Sequence, residues 1–149
     1  MEELRTLGAD EVICTADEDI VERVKEITGK AGLTKAIDAV GGKTGAAVFQ
    51  ALGRGGVMLV YGLLSMEPMP VDGGRMIFNT ATIRGFWLSE WLRTAAPEQQ
   101  QAVTAGMLRS MATNEIVPPV EAEYALSDVL AAVEHAERPG RSGKVLLVD

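Results

Sequence analysis

Apolar residues change spacing repeatedly along this chain, and the changes divide it into short strands alternating with one-sided helices. Residues 2–7 read as the last turns of a helix stopped by Gly8. Glu11-Val12-Ile13-Cys14-Thr15 is short, β-branched and bounded by Asp10 and Ala16-Asp17, which predicts a strand. Over residues 19–28, Ile20, Val21, Val24 and Ile27 recur on one helical face, with Asp17, Glu18 and Asp19 suited to the positive N-terminal end and Gly29 to the stop. The pattern then repeats. Lys35-Ala36-Ile37-Asp38-Ala39-Val40 is a strand ending at Gly41-Gly42, and residues 44–52 form a helix with Val48, Phe49 and Leu52 on one side, closed by Gly53. Residues 56–62 are a continuous apolar run, the form expected of a strand covered by helices on both faces. Strands alternating with helices imply right-handed crossovers and a parallel sheet.

After Gly62 the alternation breaks. Residues 63–79 contain Pro68, Pro70, Gly73 and Gly74 and predict a long irregular loop, a frequent place for function in compact domains. A strand over 82–87 and a short helix over 88–93 follow. Pro97 suits the start of a helix running to about Asn114, with Val103, Met107 and Met111 as its buried line. Val117-Pro118-Pro119-Val120 is a stiff connector into an edge segment over 121–126. Ser127 is the expected N-cap of a helix that turns Val129, Leu130 and Val133 inward and stops near Pro139-Gly140, and residues 144–148 are the last strand. No internal repeat or low-complexity tract is visible, and one domain over residues 1–149 is expected.

Bulk properties narrow the function classes. A chain of 149 residues with 47% hydrophobic content can bury a substantial core. With a net charge of −7 and 14 Lys and Arg scattered without a dense block, it lacks the footprint of a nucleic-acid binder. No apolar run approaches the roughly 20 residues needed to cross a bilayer, and Met1-Glu2-Glu3-Leu4 does not resemble a signal peptide, so a soluble, cytoplasmic protein without membrane contact is expected. One cysteine, Cys14, and one histidine, His135, are too few for an internal disulfide or a zinc site. Cys14 reads as a small buried hydrophobe, and His135 as a solvated residue beside Glu134 and Glu137.

In an open parallel sheet, ligands bind beyond the carboxyl ends of the strands. The residues there are Val40-Gly41-Gly42 and Tyr61-Gly62-Leu63-Leu64-Ser65, whose glycines permit close approach of backbone to a flat or phosphorylated ligand. A plain turn requirement is the simpler account of each glycine taken alone. Asp38, near a strand end, is expected to cap neighbouring amides. Lys144 is either a solvated charge or a phosphate contact. No Ser-His-Asp arrangement and no carboxylate pair on the ligand-facing edge can be placed.

The ordered segments Leu7-Gly8-Ala9-Asp10-Glu11-Val12-Ile13, Asp38-Ala39-Val40-Gly41-Gly42, Gly55-Gly56-Val57-Met58-Leu59-Val60-Tyr61-Gly62 and Ser142-Gly143-Lys144-Val145-Leu146-Leu147 resemble the C-terminal half of medium-chain dehydrogenases/reductases. Ile77-Phe78, then Ile83-Arg84-Gly85-Phe86-Trp87-Leu88 and Trp91, resemble the zinc-independent branch of quinone reductases and 2-enoyl thioester reductases, the latter especially. The resemblance implies a Rossmann-type, doubly wound, mostly parallel α/β sheet truncated at its N-terminus, without the first βαβ unit. It also implies hydride transfer from NADPH, with NADH as the alternative coenzyme. Val40, Gly41 and Gly42 would approach the nicotinamide ribose, and Tyr61, Gly62, Leu63 and Leu64 would follow the ribose and pyrophosphate. Phe86, Trp87 and Leu88 would line the nicotinamide and substrate cleft, unless they pack a core or a subunit interface, and Lys144 would reach the phosphates. The strand around Phe86 would pair with its counterpart in a homodimer. The family's glycine-rich turn and the tyrosine proton donor of its catalytic domain have no match here, Tyr61 and Tyr124 included. The polypeptide alone is therefore expected to lack turnover, and its exposed sheet edge to invite oligomerisation or strand exchange. The rival reading is a non-catalytic assembly domain built on the same fold.

Overall fold

The computed structural model describes residues 2–149. The chain forms two compact units, Met1–Thr94 and Ala95–Asp149.

The first unit holds helices α1 (Glu2–Thr6), α2 (Ile20–Thr28), α3 (Gly42–Gln50), α4 (Gly73–Phe78) and α5 (Leu88–Thr94) and strands β1 (Leu33–Asp38), β2 (Leu52–Val60) and β3 (Thr82–Gly85). The strands are all parallel, in the order β1-β2-β3. This is the parallel α/β arrangement that the alternating periods predict, and it agrees with the Rossmann type that the resemblance implies. Helix α2 begins where three acids precede it: Asp19 is the N-cap and its carboxylate accepts the Glu22 N–H at 2.9 Å. On one face of the sheet, Ala36, Met58 and Ile83 lie in register beneath α3, whose Phe49 is wholly buried with Leu52 and Met58.

Three expectations need correction here. Residues 11–14 are not a strand. No described strand pairs with them, and local side chains make polar contacts there: the Cys14 N–H goes to Glu18 Oε2 at 2.8 Å, and Glu11 lies within ion-pair distance of Arg5 and Arg23. The strand through Val57 and Leu59 is not covered on both faces, because Ile37 is 73% exposed and Val57 43% exposed on the side away from α3. The residues between Gly62 and Asn79 are not all loop, because α4 forms after Asp72, whose carboxylate caps the Gly74 N–H at 2.8 Å.

In the second unit, helix α6 (Pro97–Ala112) is followed by β4 (Val120–Ala125), a short 3₁₀ turn (Leu126–Asp128), α7 (Val129–Ala136) and β5 (Lys144–Val148). The two strands are parallel, joined through α7 in one βαβ unit. The last strand thus pairs with β4. Helix α6 starts at Pro97 as predicted, but Val103, Met107 and Met111 are exposed and the helix buries no residue. Ser127 lies inside the 3₁₀ turn and caps nothing, and the residue α7 buries is Ala132, while Val129, Leu130 and Val133 stay exposed.

His135 is not solvated either. Its Nε2 lies 2.9 Å from Glu121 Oε1 and its Nδ1 3.0 Å from the Tyr124 hydroxyl, which ties α7 to β4. Glu121 Oε2 also accepts the Ser142 and Gly143 N–H groups just before β5. The hydrogen bond with His135, then that from Ser142, holds the Glu121 carboxyl below its ordinary value of 4.5. A depressed carboxyl stabilises the fold fully above its unfolded value, and the contribution disappears as pH falls through the folded one. Thermal melts taken from about pH 6 down to about pH 3 should therefore fall more steeply for the wild type than for Glu121→Gln. Parallel slopes would refute the linkage.

Candidate active-site cleft

Backbone hydrogen bonds continue past the carboxyl ends of the first sheet. Tyr61 N donates to Asp38 O at 2.9 Å and Phe86 N to Val60 O at 2.8 Å, so each strand is held in line one residue beyond its ladder. The chain after β2 then folds back over the end of β1, with Leu64 N on Ala39 O and Ser65 N on Val40 O, both at 3.0 Å. Gly62 permits this crossing, because a Cβ there would sit 2.6 Å from the Ala39 carbonyl oxygen. The turn after β1 is set by Asp38, 5% exposed, whose carboxylate accepts the Val40 N–H at 3.0 Å and the Gly41 N–H at 2.9 Å. That is the capping role expected of it.

A cleft of about 710 Å³ opens where β2 and β3 end. This is within the size range of small-molecule sites. Tyr61, Gly62 and Leu63 form one wall, and Phe86, Trp87 and Trp91 form an aromatic one. Trp87 is 70% exposed and Tyr61 55% exposed, so these rings present area to a ligand and are not spent on a core. Two charges face the cleft, Arg84 from β3 and Glu90 from α5. Arg93 grips Glu90 in a two-pronged pair at 2.6 and 3.0 Å, whereas Arg84 makes no ion pair among the described residues. The net electrostatic offer of the cleft is positive.

Of the predicted site residues, Tyr61, Gly62, Leu63, Phe86 and Trp87 are brought together here. Val40, Gly41 and Gly42 sit at the neighbouring strand end and do not line the cleft. Gly41 and Gly42, with φ of 69° and 54°, are buried beneath the returning loop, where a Cβ would lie 2.9 Å from Leu63 Cδ2 and 2.8 Å from Ser65 Oγ respectively. The positive φ at both positions favours glycine, and the Ser65 side chain adds crowding at Gly42. Leu64 and Leu88 are exposed outside the cleft, and Lys144 opens β5 in the second unit. Sequence reasoning missed Val60, Arg84, Gly85, Glu90, Trp91 and Thr94 as lining residues. Alternation along β3 gave a signal for Arg84, which stands in register with exposed Ile37 and with Leu59.

Among the described residues, no group of three or more His, Cys, Asp and Glu side chains could hold a metal ion. Cys14 is partly buried, with its thiol 3.3 Å from the Asp17 carboxylate, and is less enclosed than expected of a core hydrophobe. No helix is long and apolar enough to cross a membrane.

Comparison with known proteins places the fold in context. The zinc-binding dehydrogenase family matches residues 1–105. Human mitochondrial enoyl-[acyl-carrier-protein] reductase is 28% identical over 144 residues, covering 97% of this chain and 39% of that protein, and the Caenorhabditis elegans protein of the same name is 31% identical over 137 residues, covering 91% and 38%. The chain thus spans about two-fifths of the length of these relatives. Among solved structures, a putative NADPH:quinone reductase from Bacillus thuringiensis superposes with a TM-score of 0.85 at 30% identity, covering 99% of this chain and 45% of that one. Escherichia coli quinone oxidoreductase, solved with NADPH, gives 0.82 at 26% identity, covering 99% and 46%. With enoyl and quinone reductases as its relatives, the chain belongs to the zinc-binding dehydrogenase family of the medium-chain dehydrogenase/reductase superfamily, in its zinc-independent branch.

Proposed function

We propose that this chain is the coenzyme-binding part of an NADPH-dependent reductase acting on an enoyl thioester or a quinone-like acceptor, and that it has no turnover by itself. The aromatic, positively charged cleft at the carboxyl ends of β2 and β3 carries this reading, because that is where parallel α/β sheets receive ligands. Bound there, a reduced nicotinamide supplies the hydride. Phe86 and Trp87 offer flat apolar surface that orients a ring and keeps water from it. The Tyr61-Gly62-Leu63 backbone, close to Gly41 and Gly42, follows the ribose and pyrophosphate, and Arg84 adds positive charge. Lys144 as a phosphate contact, NADH as a substitute coenzyme, and a homodimer formed along the outer edge of β3 belong to the same reading by family resemblance.

A direct test is titration of the 149-residue chain with NADPH, followed by tryptophan fluorescence, beside assays of NADPH oxidation with crotonyl thioesters and quinones. Saturable binding without turnover is expected, weakened about three- to tenfold by Trp87→Ala, in line with the loss of one aromatic contact. Substantial turnover, or binding indifferent to Trp87→Ala, would overturn the proposal. The uncovered sheet face bearing Ile37 and Val57 favours the rival assembly-domain reading, which predicts an oligomer that ignores NADPH altogether.

A further inference from the structure

A second cavity, of about 550 Å³, lies at the opposite end of the same sheet, beneath the amino ends of β1 and β2. Its charged lining is Lys25, Lys30, Arg54 and Arg75, with no Asp or Glu. In a chain with 21 acidic residues against 14 Lys and Arg, a lining drawn at random would be richer in carboxylates. The reversal of sign is therefore a local feature, opposite to the net charge of the molecule. Lys25 is partly answered by Glu22 at 3.6 Å, but both side chains are about 70% exposed, so that pair screens little. Lys30, Arg54 and Arg75 make no ion pair among the described residues. Arg75 is partly buried and aimed at the amino end of β2, its Nη1 being 3.5 Å from the Leu52 carbonyl oxygen. Buried Val24 and Leu52 contribute an apolar floor.

We propose that this cavity is a separate site for an organic phosphate, a phosphate or diphosphate ester with an apolar or aromatic body. Several cations lining one open cavity match the multiple charge of a phosphate, and a guanidinium fork fits its paired oxygens, whereas a lone carboxylate needs only one partner. The apolar floor accommodates the body of the ester. A long polyanion fits poorly, since the surface away from the cavity is acidic and repels it. The site is distinct from the coenzyme cleft, with which it shares no lining residue.

Calorimetric titration of the chain with adenosine 5′-diphosphate and, separately, with inorganic phosphate tests this. Saturable binding of the nucleotide is expected, weakened about tenfold or more by the Arg54→Gln, Arg75→Gln double variant and also weakened by Lys30→Gln at an exposed position. Affinity should fall with added salt and be unchanged in Arg84→Gln, which alters only the other cleft. Inorganic phosphate should bind more weakly. Absence of saturable nucleotide binding, equal affinity in the folded double variant, or loss confined to Arg84→Gln would overturn the site. Inorganic phosphate binding as tightly as the nucleotide would overturn the role of the apolar floor. Because the Arg54, Arg75 and Lys30 substitutions leave the coenzyme cleft intact, either proposal can fail without the other.

Discussion

Gly53→Ala is expected to destabilise the first unit by about 3 kcal/mol or more, the largest effect of any single methyl group in this chain. An ideal Cβ at Gly53 would lie 1.8 Å from the carbonyl oxygen of Ala31 and 3.0 Å from its carbonyl carbon. Both atoms are main chain, so no rotamer change relieves the overlap. The cause is visible in the strand register. Leu33 pairs with Leu52, but Lys35 pairs with Val57, so residues 53–56 bulge out of the ladder against only one residue of β1. Gly32, at φ 67°, faces this bulge with its own Cβ position 2.6 Å from Gly53 N, so the two glycines meet backbone to backbone. Gly73→Ala is the matched control, since its Cβ would meet nothing within 4 Å and it opens a helix. Denaturant unfolding should show a large loss for the first variant and none for the second. A Gly53→Ala protein as stable as the wild type would show that the bulge relaxes freely.

Much of this fold was legible because local periodicity reports which side of an element is apolar. Phe49 was assigned to the inner side of its helix and is wholly buried, Asp19 stood where an N-cap belongs, and the run through Met58 and Val60 is a strand between two parallel neighbours. Periodicity does not report what covers the apolar side. Val103, Met107 and Met111 keep helical spacing yet remain exposed, and Val12 and Ile13 favour a strand yet lack a partner. The same gap hides the partner of the last strand, because Lys144–Val148 has the composition of any buried strand and only its pairing with β4 distinguishes it. At the cleft, Tyr61, Gly62 and Trp87 were accessible through their position after strands. Arg84 was hidden because it lies within a strand, and it becomes a lining residue only once that strand is placed at a sheet edge.

Asp38→Ala is expected to cost about 2–4 kcal/mol and to loosen the cleft as well, because the two N–H groups it satisfies would lose their acceptor. Its carboxylate is the only buried polar or charged side chain among the described residues, and each oxygen takes a different amide, Val40 N and Gly41 N. Those amides sit in the turn whose carbonyls, Ala39 O and Val40 O, hold Leu64 N and Ser65 N. Releasing the turn therefore frees residues 62–65, which include the Gly62-Leu63 wall of the cleft. Asp38→Asn separates the two consequences. Its single carbonyl oxygen serves one amide, while its NH₂ faces the other donor, so a smaller loss, roughly half, is expected. Stability and NADPH affinity should fall in the order wild type, Asn, Ala. A variant that melts lower but binds NADPH as the wild type does would uncouple this turn from the site, since the Asp38 carboxylate reaches the cleft only through those two amides and the loop they steady.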